Sequence, residues 1–321
     1  MNKVVVVGSF NVDHVWTTAA LPRTGETLSG EYATGPGGKG FNQAIAARRA
    51  GADTAFVCAL GDDTGGQLAR ALAAADGIDL RDQHSERPTG TAGIYVDGEG
   101  RNSIVIGAGA NAALSCDFIA VQRDLIAAAD VVLTQLESPS DAVLAAMRAA
   151  RARNVTTLLN PAPANVAISG ELLSAIDILT PNETEFSALL ARHVGERIDG
   201  DAVAALDQVR LHALCRELAP GSSVVITLGA SGCFVSHAEG ALRGDDSACY
   251  RVAAETVRVV DTTGAGDAFN GALAASLAAR PDDAFVAHIR FASRYAALST
   301  ERHGAAAAMP RLPEIAARFG H

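Results

Sequence analysis

The segment from Asp261 to Phe269 reads Asp-Thr-Thr-Gly-Ala-Gly-Asp-Ala-Phe and joins a glycine-rich turn to a carboxylate. It follows a strand-like run, Thr256–Val260, and precedes an alanine-rich stretch that favours a helix. Backbone N–H groups and the dipole at a helix start attract an anion such as a phosphate. A carboxylate beside that phosphate is electrostatically unfavourable, so its presence there indicates a chemical role. We therefore interpret Asp267 as a general base for an attacking hydroxyl, with a plain helix N-cap as the alternative.

A second glycine-rich segment, Gly35-Pro36-Gly37-Gly38-Lys39-Gly40-Phe41-Asn42-Gln43, comes just before another predicted helix. It is not a P-loop, because no Ser or Thr follows Lys39 and the glycine spacing differs. The turn still allows the backbone to approach a polar ligand, and Lys39, Asn42 and Gln43 offer the donors that sugar hydroxyls need. A simple glycine turn before a helix is the alternative.

Polar groups also follow several predicted strands. Asn11 and Asp13 are two residues apart, so in an extended segment they face the same way and can hold a pair of hydroxyls. Ligands of open α/β sheets bind beyond the carboxyl ends of the strands, which favours one shared site at that edge. The other groups at strand ends are Glu137, Asn182, Glu185 and the turn Thr227-Leu228-Gly229-Ala230-Ser231-Gly232.

The elements that must position these groups alternate between short apolar runs and amphipathic stretches. Near-continuous apolar runs are typical of parallel strands covered on both faces, so the pattern predicts a doubly wound, mostly parallel α/β sheet flanked by helices. The predicted strands are Lys3–Val7, Thr54–Ala59, Val131–Leu136, Val155–Leu159, Ile176–Thr180 and Val224–Leu228. The predicted helices are Gly40–Ala50, Gly65–Ala75, Asp141–Ala152, Ala202–Leu218 and Ala265–Ala279.

Two early regions break this rhythm. Thr17–Pro36 is polar and lacks a helical period, and Thr89–Gly107 indicates two short strands around the turn Asp97-Gly98-Glu99-Gly100. We predict one domain over residues 1–321, with residues 14–36 and 89–107 forming an inserted β lid. A lid excludes the water that would otherwise take the phosphoryl group. Two long surface hairpins are the alternative.

The composition narrows the class of protein. The chain has 321 residues, a formal net charge of −10 and 49% hydrophobic residues, which is enough to build a sizeable core. The acidic balance argues against a nucleic-acid partner. The absence of a long apolar run or signal-like start predicts a cytoplasmic protein with no membrane partner. Five dispersed cysteines indicate neither a disulfide framework nor a zinc site.

Two other classes of protein were weighed. Residues 107–112, Gly-Ala-Gly-Ala-Asn-Ala, match the GxGxxA pattern of dinucleotide-dependent dehydrogenases. However, Ser115-Cys116-Asp117 follows where a helix should already run, and the first strand is followed by Ser9-Phe10-Asn11 instead of glycines. A non-catalytic sugar-binding protein is the other alternative, but it would have no use for the anion-binding turn before Asp267.

Together these segments resemble the ribokinase branch of the PfkB carbohydrate kinases, nearly end to end. Gly37–Gln43 and Asp261–Asp267 are similar to the two family signatures, and Asn11–Asp13, Gln135–Glu137, Asn160–Pro163 and Asn182–Glu185 also match. The resemblance implies phosphoryl transfer from ATP to a primary hydroxyl, with D-ribose to ribose 5-phosphate favoured. A nucleoside or fructose on the same scaffold stays open as the acceptor. The family lid often forms the dimer contact, which implies a homodimer.

The resemblance also implies roles for individual residues. Asp267 would be the base and Gly264, Ala265 and Gly266 the anion hole. The sugar would contact Asn11, Asp13, Gly38, Lys39, Asn42, Glu137 and Asp267. ATP would contact Asn182, Thr227, Leu228, Gly229, Ala230, Ser231, Gly232, Gly266 and Ser293. Glu185 would help to place Mg²⁺ through water, and an activating K⁺ would lie near Asp261, Thr263, Ser299, Arg302 and Gly304, in part through backbone carbonyls.

Three positions depart from the family pattern. Ala308 replaces a serine that often helps to hold the monovalent cation, and Ser293 replaces a histidine or asparagine near the nucleotide base. Phe41 is bulkier than the usual alanine at the sugar end. An aromatic ring there strengthens the case for a different sugar or for a nucleoside whose base stacks on the ring.

Overall fold

The protein is described by a computed structural model that covers residues 2–320, so the two terminal residues of the predicted domain lie outside it. The strands are β1 Lys3–Val7, β2 Asn11–Thr17, β3 Glu31–Gly37, β4 Asp53–Gly61, β5 Asp79–Ser85, β6 Gly90–Val96, β7 Asn102–Gly107, β8 Val131–Thr134, β9 Thr156–Leu159, β10 Ile178–Leu179, β11 Ser223–Thr227, β12 Cys233–Ser236 and β13 Cys249–Val252. The α-helices are α1 Lys39–Arg49, α2 Thr64–Asp76, α3 Cys116–Val121, α4 Arg123–Ala127, α5 Ser140–Arg151, α6 Gly170–Ser174, α7 Glu183–His193, α8 Gly200–Val203, α9 Gln208–Leu218, α10 Ala265–Ala279, α11 Phe285–Ser299 and α12 Leu312–Phe319.

The main sheet has nine strands in the order β13-β12-β11-β10-β9-β8-β1-β4-β5. The pairs from β11 to β5 are parallel, whereas β12 and β13 add antiparallel strands at one edge. Apolar side chains alternate between two buried clusters, one under α1, α10 and α11 and the other under α5, α7 and α9. Because both faces are covered, the central strands are apolar throughout. The predicted doubly wound α/β fold is confirmed.

A smaller sheet of four strands, in the order β3-β2-β6-β7, is built from the two early regions that broke the α/β rhythm. Its central pair, β2 and β6, is parallel, and each outer strand pairs antiparallel with its neighbour. β2 begins at Asn11, directly after the first strand of the main sheet, so the polar pair Asn11 and Asp13 lies where the two sheets meet.

Two predicted elements are wrong. The helix expected over Ala202–Leu218 is two helices, because Asp207 caps α9 by accepting a hydrogen bond from the backbone N–H of Arg210. Thr256–Val260 is not a strand: it follows the edge strand β13, and its final N–H, from Val260, bonds the carbonyl of Thr300 instead. The sequence analysis also did not predict the strands β5, β12 and β13 or the helices α7, α11 and α12.

Among residues 2–320, no helix combines the length and apolarity that a membrane crossing requires.

Candidate active site

The start of α10 places a carboxylate beside an anion-binding turn. Gly264 precedes the helix with φ +76°, and a Cβ there would lie 2.8 Å from Cβ of Ala305, so only glycine fits. The helix start leaves the N–H groups of Gly266 and Asp267 without an intrahelical acceptor. Asp267 is 7% exposed and lies in the first turn. The sequence thus brings an oxyanion site and a buried carboxylate to the same point.

The Asp267 carboxylate is held by two neighbouring residues of α1. Asn42 Nδ2 donates to Oδ2 at 2.9 Å, and Gln43 Nε2 donates to Oδ1 at 2.9 Å. The segment before α1 reaches this position because Gly38 adopts φ +87° and packs against the backbone of Phe10 and Asn11. Both oxygens are therefore oriented by side chains 224 or more residues away in sequence.

Glu137 joins the start of α1 to the end of β1. Its Oε2 accepts the backbone N–H of Lys39 at 3.0 Å and the hydroxyl of Ser9 at 2.6 Å. A carboxylate at a helix N-terminus is stabilised by the dipole, so part of the role of Glu137 is structural.

Burial and charge shift the titration of the groups around Asp267. Burial raises the pKa of Asp267, while Lys39 and the amides of Asn42 and Gln43 act against the increase. Burial acts to lower the pKa of Lys39, but the carboxylates of Asp267, Glu137 and Glu185 raise it overall. Lys39 is thus kept charged beside these three carboxylates.

A chain of buried amides extends from Gln43 toward α10. Gln43 donates to Asn160 at 3.1 Å and accepts from Gln135 at 2.5 Å, and Asn160 donates to the carbonyl of Thr180 at 3.0 Å. Thr180 bonds Asn270, whose amide reaches the carbonyl of Gly266 at 2.8 Å. Sequence reasoning missed Thr180 and Asn270 as site residues. Asn270 could have been found, because it lies three residues after Asp267 and thus on the same face of the helix.

Asn111 is a second residue that sequence reasoning missed. It is buried, accepts the N–H of Phe10 at 3.0 Å, and donates to the carbonyl of Phe10 at 3.0 Å and to Oδ1 of Asn11 at 2.8 Å. It therefore fixes the junction between the two sheets. Nearby, burial and the negative charges of Glu137 and Asp267 raise the pKa of Asp13 to about 7.

On the opposite side of the cleft, Asn182 and Glu185 bond one another. Asn182 caps α7 by accepting the N–H of Glu185 at 2.8 Å, while the Glu185 carboxylate accepts the backbone and side-chain N–H groups of Asn182. This capping box is a structural use of two residues for which the family resemblance implied nucleotide and magnesium roles. Both still line the cleft.

The turn after β11 begins beside this pair. Thr227 lines the cleft and bridges to Asn182, whereas Gly229–Ser231 form an exposed 3₁₀ turn just beyond it. Leu228 is buried, and Gly232 closes the turn with φ +84°. Ser293, on α11, lies close to the thiol of Cys233, the residue directly after the turn. Of the turn, only Thr227 lines the cleft, whereas residues 228–232 and Ser293 lie beyond it.

The predicted cation residues converge only in part. Asp261 accepts the N–H groups of Thr263 and Gly304, each at 2.9 Å, and so ties the glycine turn to the loop after α11. Burial acts to raise the pKa of Asp261, but these backbone bonds hold it below its usual value. Ser299 donates to the carbonyl of Ala296, and the Arg302 guanidinium pairs with Glu314 outside the cleft. Arg302 could therefore contribute only its carbonyl.

Phe41 does not face the cleft, contrary to the prediction of a base-stacking ring. It is 1% exposed and packs edge-on against Phe10, with ring centroids 5.0 Å apart, and against Phe56 at 5.9 Å. Phe41 follows Gly40 on the face of α1 that turns to the core, while Asn42 turns to Asp267. The sequence could not show which face of the helix is buried.

The cleft between these elements has a volume of about 160 Å³. It opens at the carboxyl ends of β9, β10 and β11, as expected for an open α/β sheet. A helix start that binds an oxyanion next to a buried carboxylate is what phosphoryl transfer to a hydroxyl requires, so fold and site define a phosphotransferase. The residues around the cleft are Lys39, Asn160, Ala162, Thr180, Asn182, Glu185, Thr227, Thr262, Gly264, Ala265, Gly266, Asp267 and Asn270.

Comparisons with known proteins define the family. Residues 1–312 match the model of the pfkB family of carbohydrate kinases. The chain is 38% identical to a ribokinase of Haemophilus influenzae over 97% of this chain and 96% of that protein. The ribokinase structure of Giardia lamblia superposes with a TM-score of 0.85 at 31% identity, covering 98% of this chain and 97% of that one. An Arabidopsis thaliana ribokinase complexed with ribose and ATP gives 0.80 at 31% identity, covering 98% and 97%.

The chain therefore belongs to the pfkB family of carbohydrate kinases, enzymes that transfer a phosphoryl group to a sugar hydroxyl.

Proposed function

We propose that this protein transfers the γ-phosphoryl group of ATP to the primary hydroxyl of D-ribose and forms ribose 5-phosphate. The observation that carries the proposal is the Asp267 carboxylate, fixed by Asn42 and Gln43 at the start of α10. The full-length similarity to ribokinases, one of them complexed with ribose and ATP, supports ribose as the acceptor.

The sugar would lie between Asp267 and the junction of the two sheets, in contact with Asn11, Asp13, Gly38, Lys39, Asn42 and Glu137. Asn42 keeps its buried Oδ1 without a hydrogen-bond partner among residues 2–320. A buried acceptor without a partner is rare in a native structure and is explained if a ligand donates to it. A ribose hydroxyl would supply that bond.

In the reaction, Asp267 would remove the proton from the primary hydroxyl while its oxygen forms the new bond to the γ-phosphorus. The bond to the β-phosphate bridging oxygen breaks, and ADP leaves. The backbone of Gly264, Ala265 and Gly266 would hold the charge on the transferring group. The N–H of Gly266 would be the main donor, because the N–H of Ala265 already donates to the carbonyl of Thr262. Removing one such donor or the base typically costs about two to four orders of magnitude in rate.

ATP would extend from Asn182 and Gly266 in the cleft to Ser293 and the turn Thr227–Gly232, which includes Leu228, Gly229, Ala230 and Ser231. Thr227 already bridges to Asn182, and the turn residues Gly229–Ser231 that follow it are exposed. The phosphates would then lie toward Gly266 and the base toward Ser293 on α11.

The residues fit Mg²⁺ held through water by Glu185. Its oxygens each accept one N–H of Asn182, which leaves further lone pairs facing the cleft. Mg²⁺ commonly takes one carboxylate, phosphates and waters, and when bound it neutralises phosphate charge. Burial raises the pKa of Glu185, and a nearby cation would favour its charged form.

A K⁺ ion near the loop of Asp261 fits through oxygen ligands. The carboxylate of Asp261, the hydroxyl of Thr263, and the backbone carbonyls of Ser299, Arg302 and Gly304 are the candidates. Asp261 already ties the two loops together, so a cation there would set the position of the anion hole. Ala308, which is buried, offers no side-chain oxygen to this site.

The small sheet would act as a lid within a single domain, residues 14–36 and 89–107 closing over the sugar. It would also join two copies of the chain into a homodimer. The outer strand β7 is exposed over its whole length, with Ile104, Val105 and Ile106 at 50%, 67% and 47% exposure. Tyr32, on the other outer strand β3, is 54% exposed. Apolar exposure of this kind favours burial against a second copy.

The first test is ATP consumption with D-ribose, adenosine, inosine or fructose as acceptor, with Mg²⁺ and with or without K⁺. We expect ribose-dependent turnover that falls by at least about 10²-fold in Asp267→Asn. Asp246→Asn, on an exposed loop, is the matched control and should keep full activity. Turnover with a nucleoside would keep the mechanism but identify a nucleoside as the acceptor. No turnover with any acceptor would instead favour a sugar-binding protein that retains the kinase fold.

A further inference from the structure

A second cleft lies at the amino ends of the parallel strands, opposite the active-site cleft. It has a volume of about 230 Å³ and is lined by Arg151, Asn154, Val155, Thr156, Asp177 and Arg243. Strands β9 and β10 begin here and end at the active-site cleft, near Asn160 and Thr180. The two clefts are therefore separated by the length of the strands, and no residue lines both.

Arg243 is held rigidly in this cleft. Its Nε donates to Ser223 Oγ at 3.0 Å, and its Nη2 donates to the carbonyl of Asp177 at 3.2 Å. The guanidinium carbon lies 5.9 Å from the ring centre of Phe285. A guanidinium has five N–H donors. Nη1 makes no hydrogen bond to any residue that the structure describes, so donors remain available to the cleft.

Ser223 is itself fixed by a buried relay. Its hydroxyl lies 3.0 Å from Nδ1 of His237, whose Nε2 lies 2.9 Å from Oδ2 of Asp245. The order of residues is that of a hydrolase triad, but Ser223 is 1% exposed and already accepts the N–H of Arg243. The relay therefore cannot reach a substrate, and its effect is to orient the Arg243 guanidinium.

The charges of the cleft do not balance. Arg151 and Arg243 face one carboxylate, Asp177, which already accepts from Arg151 at 3.0 Å and from the backbone and hydroxyl of Thr157 at 2.9 and 2.8 Å. Burial lowers the pKa of Arg243, with only a partial counter-effect from Asp177. A partly buried cation with unused donors is stabilised by an anion.

We propose that this cleft binds a phosphate group, held between the guanidinium groups of Arg151 and Arg243. Planar guanidinium forks match the spacing of phosphate oxygens, and the side chain of Asn154, whose backbone has φ +57°, adds an amide at the rim. The group could belong to inorganic phosphate or to a phosphate ester. The proposal does not depend on the reaction proposed for the active-site cleft.

The test is calorimetric titration of the whole protein with inorganic phosphate, and separately with ribose 5-phosphate. Saturating ribose occupies the sugar site, and the Arg151 and Arg243 variants distinguish this cleft from the anion-binding turn before α10, because neither residue lines the active-site cleft. We expect Arg151→Gln and Arg243→Gln each to weaken binding by about tenfold or more, the size expected for one lost charge-assisted hydrogen bond. Arg243→Lys should weaken it less. Binding by one titrant alone would identify free phosphate or the ester as the source.

Arg153→Gln is the matched control, since Arg153 is exposed, lies two residues from Arg151 and does not line the cleft. Its affinity should stay within about twofold of the wild type. If neither titrant binds, or if Arg153→Gln weakens binding as much as Arg151→Gln, the proposal is wrong. Should Arg243→Gln fail to fold, Arg151→Gln decides alone, because that side chain is 44% exposed.

Discussion

The side-chain amide of Gln43 donates a 2.9 Å hydrogen bond to Oδ1 of Asp267, a residue 224 positions later in the sequence. Asn42 donates to the other oxygen, so two consecutive residues of α1 define the plane of one carboxylate. Gln43 is in turn fixed by Gln135 and Asn160. A proposed base that is oriented from both sides can be tested through the residues that orient it.

Replacing Gln43 with Leu should lower kcat about 10- to 100-fold and move the acid limb of the pH–kcat profile to higher pH. The Gln43 amide stabilises the charged carboxylate, so its loss raises the pKa of Asp267 further and leaves less base at a given pH. Gln135→Leu, which touches Gln43 but has no bond to Asp267, should shift the profile less. An acid limb that does not move in Gln43→Leu would contradict this role.

Gly264→Ala should lower the free energy of unfolding by about 1–3 kcal/mol and reduce activity. The residue adopts φ +76°, and an added Cβ would meet Ala305 at 2.8 Å, so the anion turn must shift. Gly266→Ala is the control: its Cβ would meet nothing within 4 Å. Thermal denaturation should show Gly266→Ala at least as stable as the wild type. Equal destabilisation of both variants would disprove the packing argument.

Asp13→Asn should stabilise the protein without ligand, and more so at pH 8 than at pH 5. Burial, then Glu137 and Asp267, raise the pKa of Asp13 from 3.8 to about 7 in the folded state. Its contribution to stability is complete below pH 4 and is lost as the pH rises through 7, whereas the amide stays neutral. Urea unfolding should show an extra gain on the order of 2 kcal/mol at pH 8. A gain that does not depend on pH would contradict the shift.

Asn111→Ala should raise the KM for ribose about tenfold while kcat changes by less than about threefold. Asn111 holds Phe10 and Asn11 but has no bond to Asp267, so its loss disturbs the sugar contact and leaves the base in place. Steady-state kinetics separate the two constants. Asp282→Ala, in the exposed turn between α10 and α11, is the control, and a fall in kcat alone for Asn111→Ala would refute the assignment.

Val105→Asp should convert the proposed dimer to monomer, because it buries a charge in the apolar face of β7. Val105 is 67% exposed in the single chain. Val121→Asp, at a 76% exposed position on α3 outside the small sheet, should leave the assembly unchanged. Sedimentation equilibrium gives the mass of each variant. A wild-type monomer, or two variants that remain dimers, would rule out this interface.

The sequence predicted the class of fold because parallel strands covered on both faces need continuous apolar runs, and helices between them need a 3.6-residue period. These patterns are local. Element ends were less predictable: Asp207 breaks the helix expected over Ala202–Leu218, and Val259–Val260 are apolar yet lie outside any strand. An N-cap competes locally with helix propensity, and an apolar pair near a sheet edge has no partner strand that the sequence could reveal.

By itself, the sequence determined the glycine turn before Asp267 and the glycine segment before α1, since backbone conformations that exclude side chains are written in the glycines themselves. Only the tertiary structure decided which side chains meet there. It turned Phe41 into the core, brought Asn111 to Asn11, and set Gln43 against Asp267. Those contacts join residues up to 224 positions apart, and such pairings depend on how helices and strands pack, which no local pattern encodes.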